Sequence, residues 1–596
     1  MMLRALTELA ERERLGTDAA FERRPVSFIL AIDARGCLVG KPVATGEDDR
    51  PKRFEIPRGY VEEEGGGLAP VRSVQVAAGF LVDKALYALG MPDAKKAGAP
   101  AAERARRCLA TFRSLVETAE SATKEPALAA VIAFLDNPLE RQKAVNAIAD
   151  APSNALLAFQ FGDEFVHDSS NVRAWWRSRH ATSAAGATRS TCLVTGKAGV
   201  VADLHEKIKG VPGAVTAGAP LISFNIGIFE SYGLSGSENA PISQGAATAY
   251  VAALNRLLSP TPQNGDGEAL PTRRVRLTES STVVYWSRLS SAFVDVIAGL
   301  LAPDAETVGR AFQSAWGGRE IPIEDAGEFY ALVLSGCQGR IAVKSWLVST
   351  VRDVAANLRR YFREIDVRRR QDEPLVLYSL LRSIAPRGEV DRLAPNRAQE
   401  LFEAAVFGRS LPISILDAAI RRCRVAEQDS QRVPDARAAI VRLCLSRIPK
   451  EMKAMENRST GEVLGRMMAH IESLQYKALG DVGSTVVDQF FGSACVAPES
   501  VFPKILKLSH HHYRKAFQNE ALRGAAKAIQ KRIDELCAEL SVARAKDGRA
   551  NGFPRFLPLP EQGRFVLGYH AQRHENLDQA IKAKELRDSR DTEKEN

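Results

Sequence analysis

The sequence predicts an α+β N-terminal region, with mixed sheet hairpins and helices, followed by an all-α C-terminal helical bundle. Two apolar runs, VSFILAI at 26–32 and ALLAFQF at 155–161, are typical of buried strands. From residue 375 onward apolar residues recur with the 3.6-residue period of amphipathic helices, and no strand pattern interrupts them. We therefore expect domains at 1–190 and 191–374, the latter continuing the α+β region, and a bundle at 375–596.

Short strands and helices follow one another through the first part of the chain. The turn Asp33-Ala-Arg-Gly36 predicts a hairpin between its flanking apolar runs. Ala-rich apolar spacing predicts the helices that come next. In chain order we expect a helix at 2–15, strands at 26–32 and 37–43, helices at 101–122 and 125–149, a strand at 155–161 and a helix at 172–179.

The stretch from Cys192 to Leu258 is dominated by Gly, Pro, Ser and Asn, between a strand-like segment and a helix that begins at Gln244. A polar loop of this length inside a globular chain is usually functional. Lys207 and Lys209 precede its Gly/Pro turn, as phosphate-contacting lysines often do. Asn and Ser side chains can hydrogen-bond base edges. The stretch thus predicts a surface that faces nucleic acid, although the asparagines could instead cap turns and the aromatics could be core residues.

Beyond this loop the pattern returns to strands and then becomes helical. Strands are expected at 274–277, 282–286 and 329–334. A stripe at Val351, Val354, Leu358, Phe362 and Ile365 predicts one amphipathic helix over 341–365. The bundle helices are expected near 376–384, 396–407, 412–426, 434–447, 459–479, 482–491, 500–517 and 519–543.

Positive charge is concentrated toward the C-terminus. The net charge is +9, and residues 351–450 hold 20 Lys or Arg against 13 Asp or Glu. Residues 501–550 hold 11 against 5. This distribution favours a polyanionic partner, with solvated helix faces as the alternative. The eight cysteines lack CxxC spacing, which favours free thiols in a reducing cytoplasm, and no apolar run is long enough to span a membrane.

Two groups of residues contain side chains that can bind metals, but neither has the pattern of a known metal site. Asp163, Glu164, His167 and Asp168 could serve a metal-dependent nuclease or hydrolase, but such sites need further ligands from distant segments, so a polar turn is favoured. His570 and His574 lie one helical turn apart. The residue after His570 is Ala571 rather than the Glu of a zinc protease. We therefore expect no metal site, no cofactor and no catalytic residue.

A family resemblance runs along nearly the whole chain. It is carried by KIKGVPGA, GAPLISFN, FESYG and NAPIS within the polar stretch. It continues through PVSFILAIDARGCLV, VHDSSNVRAWW, STVVYWSR, GRIAVKSWLV, VFPKILKLSHHH and PLPEQGRFVLGYHAQR. In order and spacing these segments resemble the large subunit of the type I-C CRISPR Cascade complex, a Csd-type CRISPR-associated protein. The sequence departs from the family pattern at Leu234-Ser235-Gly236, where a basic or long polar residue is usual.

The resemblance implies a non-catalytic subunit of a crRNA-guided antiviral complex. Such a subunit recognises the protospacer-adjacent motif in duplex DNA, helps open it, stabilises the R-loop and displaced strand, and recruits a helicase-nuclease. Its partners would be subunits that form the backbone and cap the crRNA, small subunits from the same gene, and DNA. Two alternatives to this role stay open: the metal-dependent nuclease or hydrolase described above, and a helical scaffold that binds RNA or protein.

Three groups of residues are expected to carry these roles. The candidate DNA contacts are Lys207, Lys209, Asn225, Ser231, Tyr232, Asn239, Gln244, Arg340 and Lys344. The candidate path for the opened strand is Arg421, Arg422, Lys504, Lys507, Arg514, Lys515, Lys527, Lys531 and Arg532. The candidate internal starts for a small subunit of about residues 452–596 are Met452, Met455, Met467 and Met468, although methionines on a helix are commonly core residues.

Overall fold

The protein divides into two compact units, which are described separately. The first unit comprises Met1–Thr272 and Gly336–Ala342, and the second comprises Arg273–Ser335 and Val343–Asn596. The predicted division at 190 and 374 remains a prediction. The computed structural model describes the chain except for residues 17, 19, 47–50, 70–71, 73–74, 93–97, 184–187, 265–267, 290–293, 295–296, 298–326, 369–374, 395, 426–431, 449–458, 547–551 and 596.

The first unit combines short strands with seven helices among its described residues. Its strands are β1 (Phe21–Pro25), β2 (Phe28–Ile32), β3 (Val43–Ala44), β4 (Arg53–Pro57), β5 (Tyr60–Glu62), β6 (Leu68–Ala69), β7 (Ala77–Ala78), β8 (Val82–Lys84), β9 (Leu156–Phe161), β10 (Glu164–Phe165), β11 (Arg189–Thr191) and β12 (Ala198–Val200). Its helices are α1 (Met2–Arg12), α2 (Ala85–Ala88), α3 (Ala99–Thr123), α4 (Pro126–Asp136), α5 (Pro138–Ala147), α6 (Ser170–Ser183) and α7 (Gln244–Leu258).

A mixed five-stranded sheet forms the centre of this unit. Its order is β10-β9-β2-β3, with β8 also paired to β9, and β2 runs parallel to β9. Phe112, Leu128 and Phe159 are fully buried in the core beside it. The strand predicted at 37–43 is wrong over most of its length, because Leu38 forms only an isolated bridge to Ile32 and the strand that pairs with β2 is Val43–Ala44. The helix expected at 125–149 is two helices, since Pro138 cannot continue an α-helix and the Asn137 side chain caps the second one.

The second unit contains a four-stranded antiparallel meander and the helices that follow it. The strands are β13 (Arg274–Arg276), β14 (Ser281–Ser287), β15 (Glu328–Cys337) and β16 (Arg340–Thr350), and the β15–β16 turn belongs to the first unit. The helices are α8 (Val351–Ile365), α9 (Leu377–Ile384), α10 (Arg397–Phe407), α11 (Ile413–Arg424), α12 (Asp435–Ser446), α13 (Thr460–Leu479), α14 (Val486–Val496), α15 (Pro498–Gln518), α16 (Glu520–Lys546) and α17 (Leu559–Glu595).

The single helix predicted over 341–365 is wrong in its first half. Arg340–Thr350 is a strand that pairs with β15, and only Val351–Ile365 is helical. Thr350 marks the change, because its hydroxyl accepts a hydrogen bond from the Asp353 N–H and so caps the helix. The predicted apolar stripe is correct from Val351 onward, and all of its residues are buried against the meander and the bundle.

The C-terminal helices confirm the predicted bundle. Helices α13 and α17 pack so closely that a Cβ at Gly465 would lie 2.0 Å from the Phe565 carbonyl oxygen. A Cβ at Gly461 would lie 2.1 Å from that of Glu561. Glycine is therefore required for this contact. The fold class is as predicted: strands with helices first, then helices alone. None of the helices in the described ranges is both long and apolar enough to cross a membrane.

Candidate nucleic-acid interface

The polar loop, residues 192–243, is closed at its base. The Ser243 N–H donates to Cys192 Sγ over 3.2 Å, and the Leu193 N–H donates to the Pro241 carbonyl over 2.9 Å. Burial raises the pKa of the Cys192 thiol, but hydrogen bonds from Ser243 and Thr195 outweigh it and bring that pKa down to about 7. A sulfur that accepts hydrogen bonds thus joins the start of the loop to its end.

Helix α7 supports the loop from below. The Ser243 hydroxyl accepts from the Ala246 N–H, which caps the helix. At the other end of the helix, Arg256 forms a buried ion pair with Glu13, with Nε and Oε2 2.6 Å apart. A buried pair of this kind is costly to break, so it fixes α7 against the N-terminal part of the unit.

Asn255 of α7 holds the segment that carries the two predicted lysines. Its Oδ1 accepts from the Lys209 N–H at 2.8 Å, and its Nδ2 donates to the Lys207 carbonyl at 3.2 Å. Ile208, between them, is fully buried and pairs with Ala219. The Lys207 and Lys209 side chains are exposed as a result, on a backbone whose conformation is fixed.

The β15–β16 turn completes the loop's framework. The Gly336 N–H donates to the Pro212 carbonyl, and the Val215 N–H donates to the Gln338 carbonyl. A Cβ at Gly336 would lie 2.1 Å from the Ala214 nitrogen, so the two backbones meet where no side chain fits. This contact brings residues from beyond position 335 to the polar loop.

Arg340 and Asn225, both predicted as DNA contacts, meet at this turn. The Arg340 Nη2 lies 3.4 Å from Asn225 Oδ1, and the guanidinium carbon lies 4.2 Å from the centre of the Phe229 ring. Arg340 and Asn225 are both exposed. An arginine held over an aromatic ring beside an amide is a combination that base edges and phosphates can engage.

Asn239 supports the outer part of the loop. Its Oδ1 accepts from the Ser231 N–H at 2.8 Å, and its Nδ2 donates to the Leu234 and Gly236 carbonyls at 3.0 Å each. The predicted role of Asn239 in base reading remains a prediction. These three hydrogen bonds favour the turn-capping role that the sequence left open.

Apolar side chains project from the segment Asn225–Asn239, which we call the tip. Ile228 is 83% exposed and Tyr232 is 100% exposed, with Ile226 and Leu234 also exposed. Tyr232 has φ of +56°, which is uncommon for a non-glycine residue. Exposed apolar groups in one segment are typical of an interaction surface. The sequence reasoning missed these two isoleucines, and also Asn255, whose only signal was an amide in an apolar helix.

The remaining predicted contacts of the loop region are dispersed. Ser231 is exposed and lies in the tip. Gln244 is half-buried at the first position of α7. Lys344 is exposed on β16 in the second unit. Their contacts with DNA remain predictions.

Helices α15 and α16 of the second unit carry most of the predicted strand-path residues. On α15, Lys504, Lys507, Arg514 and Lys515 recur at helical spacing and are exposed. On α16, Lys527, Lys531 and Arg532 are exposed, and Lys527 lies 5.5 Å from the Phe517 ring of α15. We call these seven residues the basic strip. Lys531 is partly neutralised by Glu535, with Nζ and Oε1 3.9 Å apart.

Arg421 and Arg422 differ from the basic strip. Arg421 is exposed but paired with Asp417 at 2.6 Å. Arg422 is half-buried, and burial, together with the nearby Arg437, lowers the pKa of its guanidinium. A role in strand binding remains a prediction for both, and their surroundings favour a structural one.

No three of the four residues of the nuclease alternative lie close enough together to share a metal ion. His167 is buried against Phe165, and burial lowers the pKa of its imidazole. Asp163 and Glu164 are exposed, while Asp168 pairs with Arg173 at 3.1 Å. In the described part of the chain, the one group of at least three His, Cys, Asp or Glu close enough to share a metal ion is elsewhere, at Asp435, His570 and His574.

Comparison with known families now assigns the chain to a class. It is a CRISPR-associated protein, a subunit of a Cascade complex. Within that class it belongs to the Csd1 family, whose model, described as "CRISPR-associated protein (Cas_Csd1)", matches residues 5–577. The resemblance to a Csd1-type large subunit is thereby confirmed over nearly the full chain. No curated protein matches the sequence.

Proposed function

We propose that this chain is the non-catalytic large subunit of a cytoplasmic type I-C crRNA-guided complex that recognises a protospacer-adjacent motif in duplex DNA. It helps open the duplex, stabilises the R-loop and displaced strand, and recruits a helicase-nuclease. Backbone and crRNA-capping subunits, together with small subunits from the same gene, are its expected partners. The observation that carries the proposal is the contact of Arg340 with Asn225 and Phe229 of the exposed tip.

The loop region supplies the two kinds of contact that motif recognition needs. Arg340 and Asn225 offer donors and an acceptor in a fixed arrangement, as base reading in a groove requires. Lys207 and Lys209 project from a backbone fixed by Asn255, which suits phosphate contacts that set register. Guide pairing carries most of the sequence information, so a reading element this small is sufficient.

The tip supports a role in opening the duplex. Apolar side chains of DNA-bending proteins are inserted between base steps, which unstacks them at a cost of a few kcal/mol. Ile228 and Tyr232 are the most exposed large apolar residues of the tip. Their insertion next to the recognised motif would start strand separation. The basic strip of the second unit offers exposed cations for the displaced strand.

The test is binding of the reconstituted crRNA complex to a library of flanking sequences. We expect Arg340→Ala and Asn225→Ala to reduce discrimination among flanking motifs by about 1–3 kcal/mol for each base that the side chain would read. Lys41 is an exposed lysine of the same unit, and Lys41→Ala is the control that should leave this discrimination unchanged. Equal binding of every flanking trinucleotide by the wild-type complex would end the recognition claim.

We further propose that the small subunit begins at Met452 or Met455. Both lie outside the described residues, but they precede α13 in the sequence. Met467 and Met468 are fully buried within α13, after Gly461 and Gly465. A start at Met467 or Met468 would remove the first two turns of α13 and with them the close contact to α17.

Mass spectrometry of the purified complex decides between these starts. The double change Met452→Leu/Met455→Leu should abolish the short chain. Met467→Leu/Met468→Leu, a nearly volume-conserving change in the core, should leave it. A short chain that begins at Met467 or Met468 contradicts the choice of start, and the absence of any short chain contradicts the whole idea.

A further inference from the structure

Two histidines of α17 and one aspartate of α12 converge in the second unit. His570 Nε2 lies 2.8 Å from Asp435 Oδ1, and His574 Nε2 lies 3.1 Å from the same oxygen. The histidines are four residues apart and so project from one face of the helix. They are 3% and 5% exposed, respectively. Two imidazole nitrogens and a carboxylate oxygen thus point at one small volume inside the bundle.

From this geometry we propose a transition-metal site, with Zn²⁺ as the expected ion, that joins α17 to α12. Imidazole nitrogen and carboxylate oxygen are zinc ligands, with bonds of about 2.0–2.2 Å. Tetrahedral ligand atoms at that radius lie roughly 3.3 Å apart. The present separations of 2.8 and 3.1 Å need to widen only slightly to receive the ion.

One change of tautomer at each histidine would open the site to a metal ion. Without an ion, each Nε2 can donate its proton to Asp435 Oδ1. For metal binding the ring proton of each neutral imidazole has to move from Nε2 to Nδ1, so that the Nε2 lone pair faces the ion beside the ionised carboxylate.

Two further acidic side chains of α17 are paired with arginines, so His570, His574 and Asp435 are the proposed ligands. Glu575, next to His574, is held by Arg368 and Arg466 at 3.4 and 3.5 Å. Asp578 also pairs with Arg368, at 3.1 Å. A water molecule would complete the tetrahedron. The ion would hold the C-terminal helix against the bundle, because its ligands come from segments more than 130 residues apart in sequence.

Zinc content of the full chain, purified without a histidine tag, tests this site. After gel filtration with a weak chelator, we expect about one Zn²⁺ per wild-type chain, since three protein ligands and a water form a complete zinc site. Asp435→Asn and His574→Gln should retain less than a tenth of it. Asp435→Asn keeps an oxygen for the imidazole N–H groups, so the fold can persist while the metal is lost. Cobalt substitution should give the visible bands of a tetrahedral ion in wild type alone.

The exposed His510 and His511 of α15 provide the control, because surface histidines can bind zinc adventitiously. The double change His510→Gln/His511→Gln should leave the zinc content unchanged. Added zinc should also raise the unfolding temperature of wild type and not of Asp435→Asn, since a ligand of the folded state stabilises it. A wild-type protein with no more zinc than Asp435→Asn, or zinc lost only with the α15 histidines, overturns the proposal.

Discussion

The polar loop of the first unit and the helical bundle of the second use cationic side chains in opposite ways: the loop exposes them to solvent, and the bundle buries several of them. In the loop, amides bond the backbone so that cationic and apolar side chains face solvent, as Asn255 does for Lys207 and Lys209. In the bundle, arginines themselves bond the backbone from inside. Arg437 donates to the carbonyls of Ser383, Arg422 and Arg432 and is 5% exposed.

This difference changes the meaning of the charge distribution. The surplus of positive charge at 351–450 predicted a polyanion surface, but Arg437 and Arg447 within it serve as buried hydrogen-bond donors. Within 501–550, the described cations of the basic strip on α15 and α16 are exposed. Charge counts alone do not separate an arginine that binds a partner from one that closes a helix end inside the protein.

The largest effect is expected when a buried arginine of the bundle loses its charge. Arg447 pairs with Glu364 at 2.8 Å and donates to the carbonyls of Ala404 and Arg409 at 2.7 Å each. Arg447→Gln should destabilise the second unit by about 3–5 kcal/mol, because it removes one of the two arginines that pair with Glu364 and leaves the Ala404 and Arg409 carbonyls without this donor. Urea unfolding measures this loss. Arg514→Gln, in the basic strip, should change stability by less than about 0.5 kcal/mol, and similar losses in both variants would remove the distinction.

A second effect concerns packing in the bundle. Gly465→Ala places a methyl group 2.0 Å from the Phe565 carbonyl oxygen, so we expect a loss of about 1–3 kcal/mol from overpacking. Gly524→Ala on α16 meets no atom within 4 Å and should stabilise by about 0.5–1 kcal/mol, since alanine favours the helix. Thermal unfolding gives the sign of each change. The same sign for both would mean that the close contact of α13 and α17 does not form.

A smaller and local effect is expected in the loop. Asn239→Ala removes three hydrogen bonds within the tip, each worth about 1 kcal/mol, and should speed hydrogen exchange at 231–239 while the bundle is unchanged. Asn239→Asp keeps the acceptor for the Ser231 N–H and should lose less. Unchanged exchange together with reduced motif discrimination would instead make Asn239 a base-reading residue.

The smallest effect on stability, with a clear effect on binding, is expected for the two lysines. Lys207→Ala/Lys209→Ala should weaken DNA binding by the complex for all flanking sequences. The slope of log affinity against log salt should fall by about 2, because each lysine that neutralises a phosphate adds about one to that slope. Stability should change by less than about 0.5 kcal/mol. An unaltered salt slope would show that these lysines do not bind phosphate.

The sequence pattern predicted well those elements whose formation depends on residues close together in the sequence. The buried stripe of α8 and the limits of α7 follow from apolar spacing and a Ser cap. The strand Arg340–Thr350 was missed because its partner is β15, and pairing is not visible in a pattern that also suits a helix. Asn225 and Arg340 were chosen separately, and only the fold brings residues 115 positions apart together. Asp435 was not connected to His570 for the same reason.

The glycines of α13 also bear on how this gene can change. Gly461 and Gly465 lie downstream of Met452 and Met455, so any chain translated from those codons would contain them. One nucleotide change at Gly465 would then alter a long product and a short one together, because in the long chain a new Cβ would lie 2.0 Å from the Phe565 carbonyl oxygen and the short chain carries the same residues. These codons would therefore vary more slowly among related genes than those of the exposed tip.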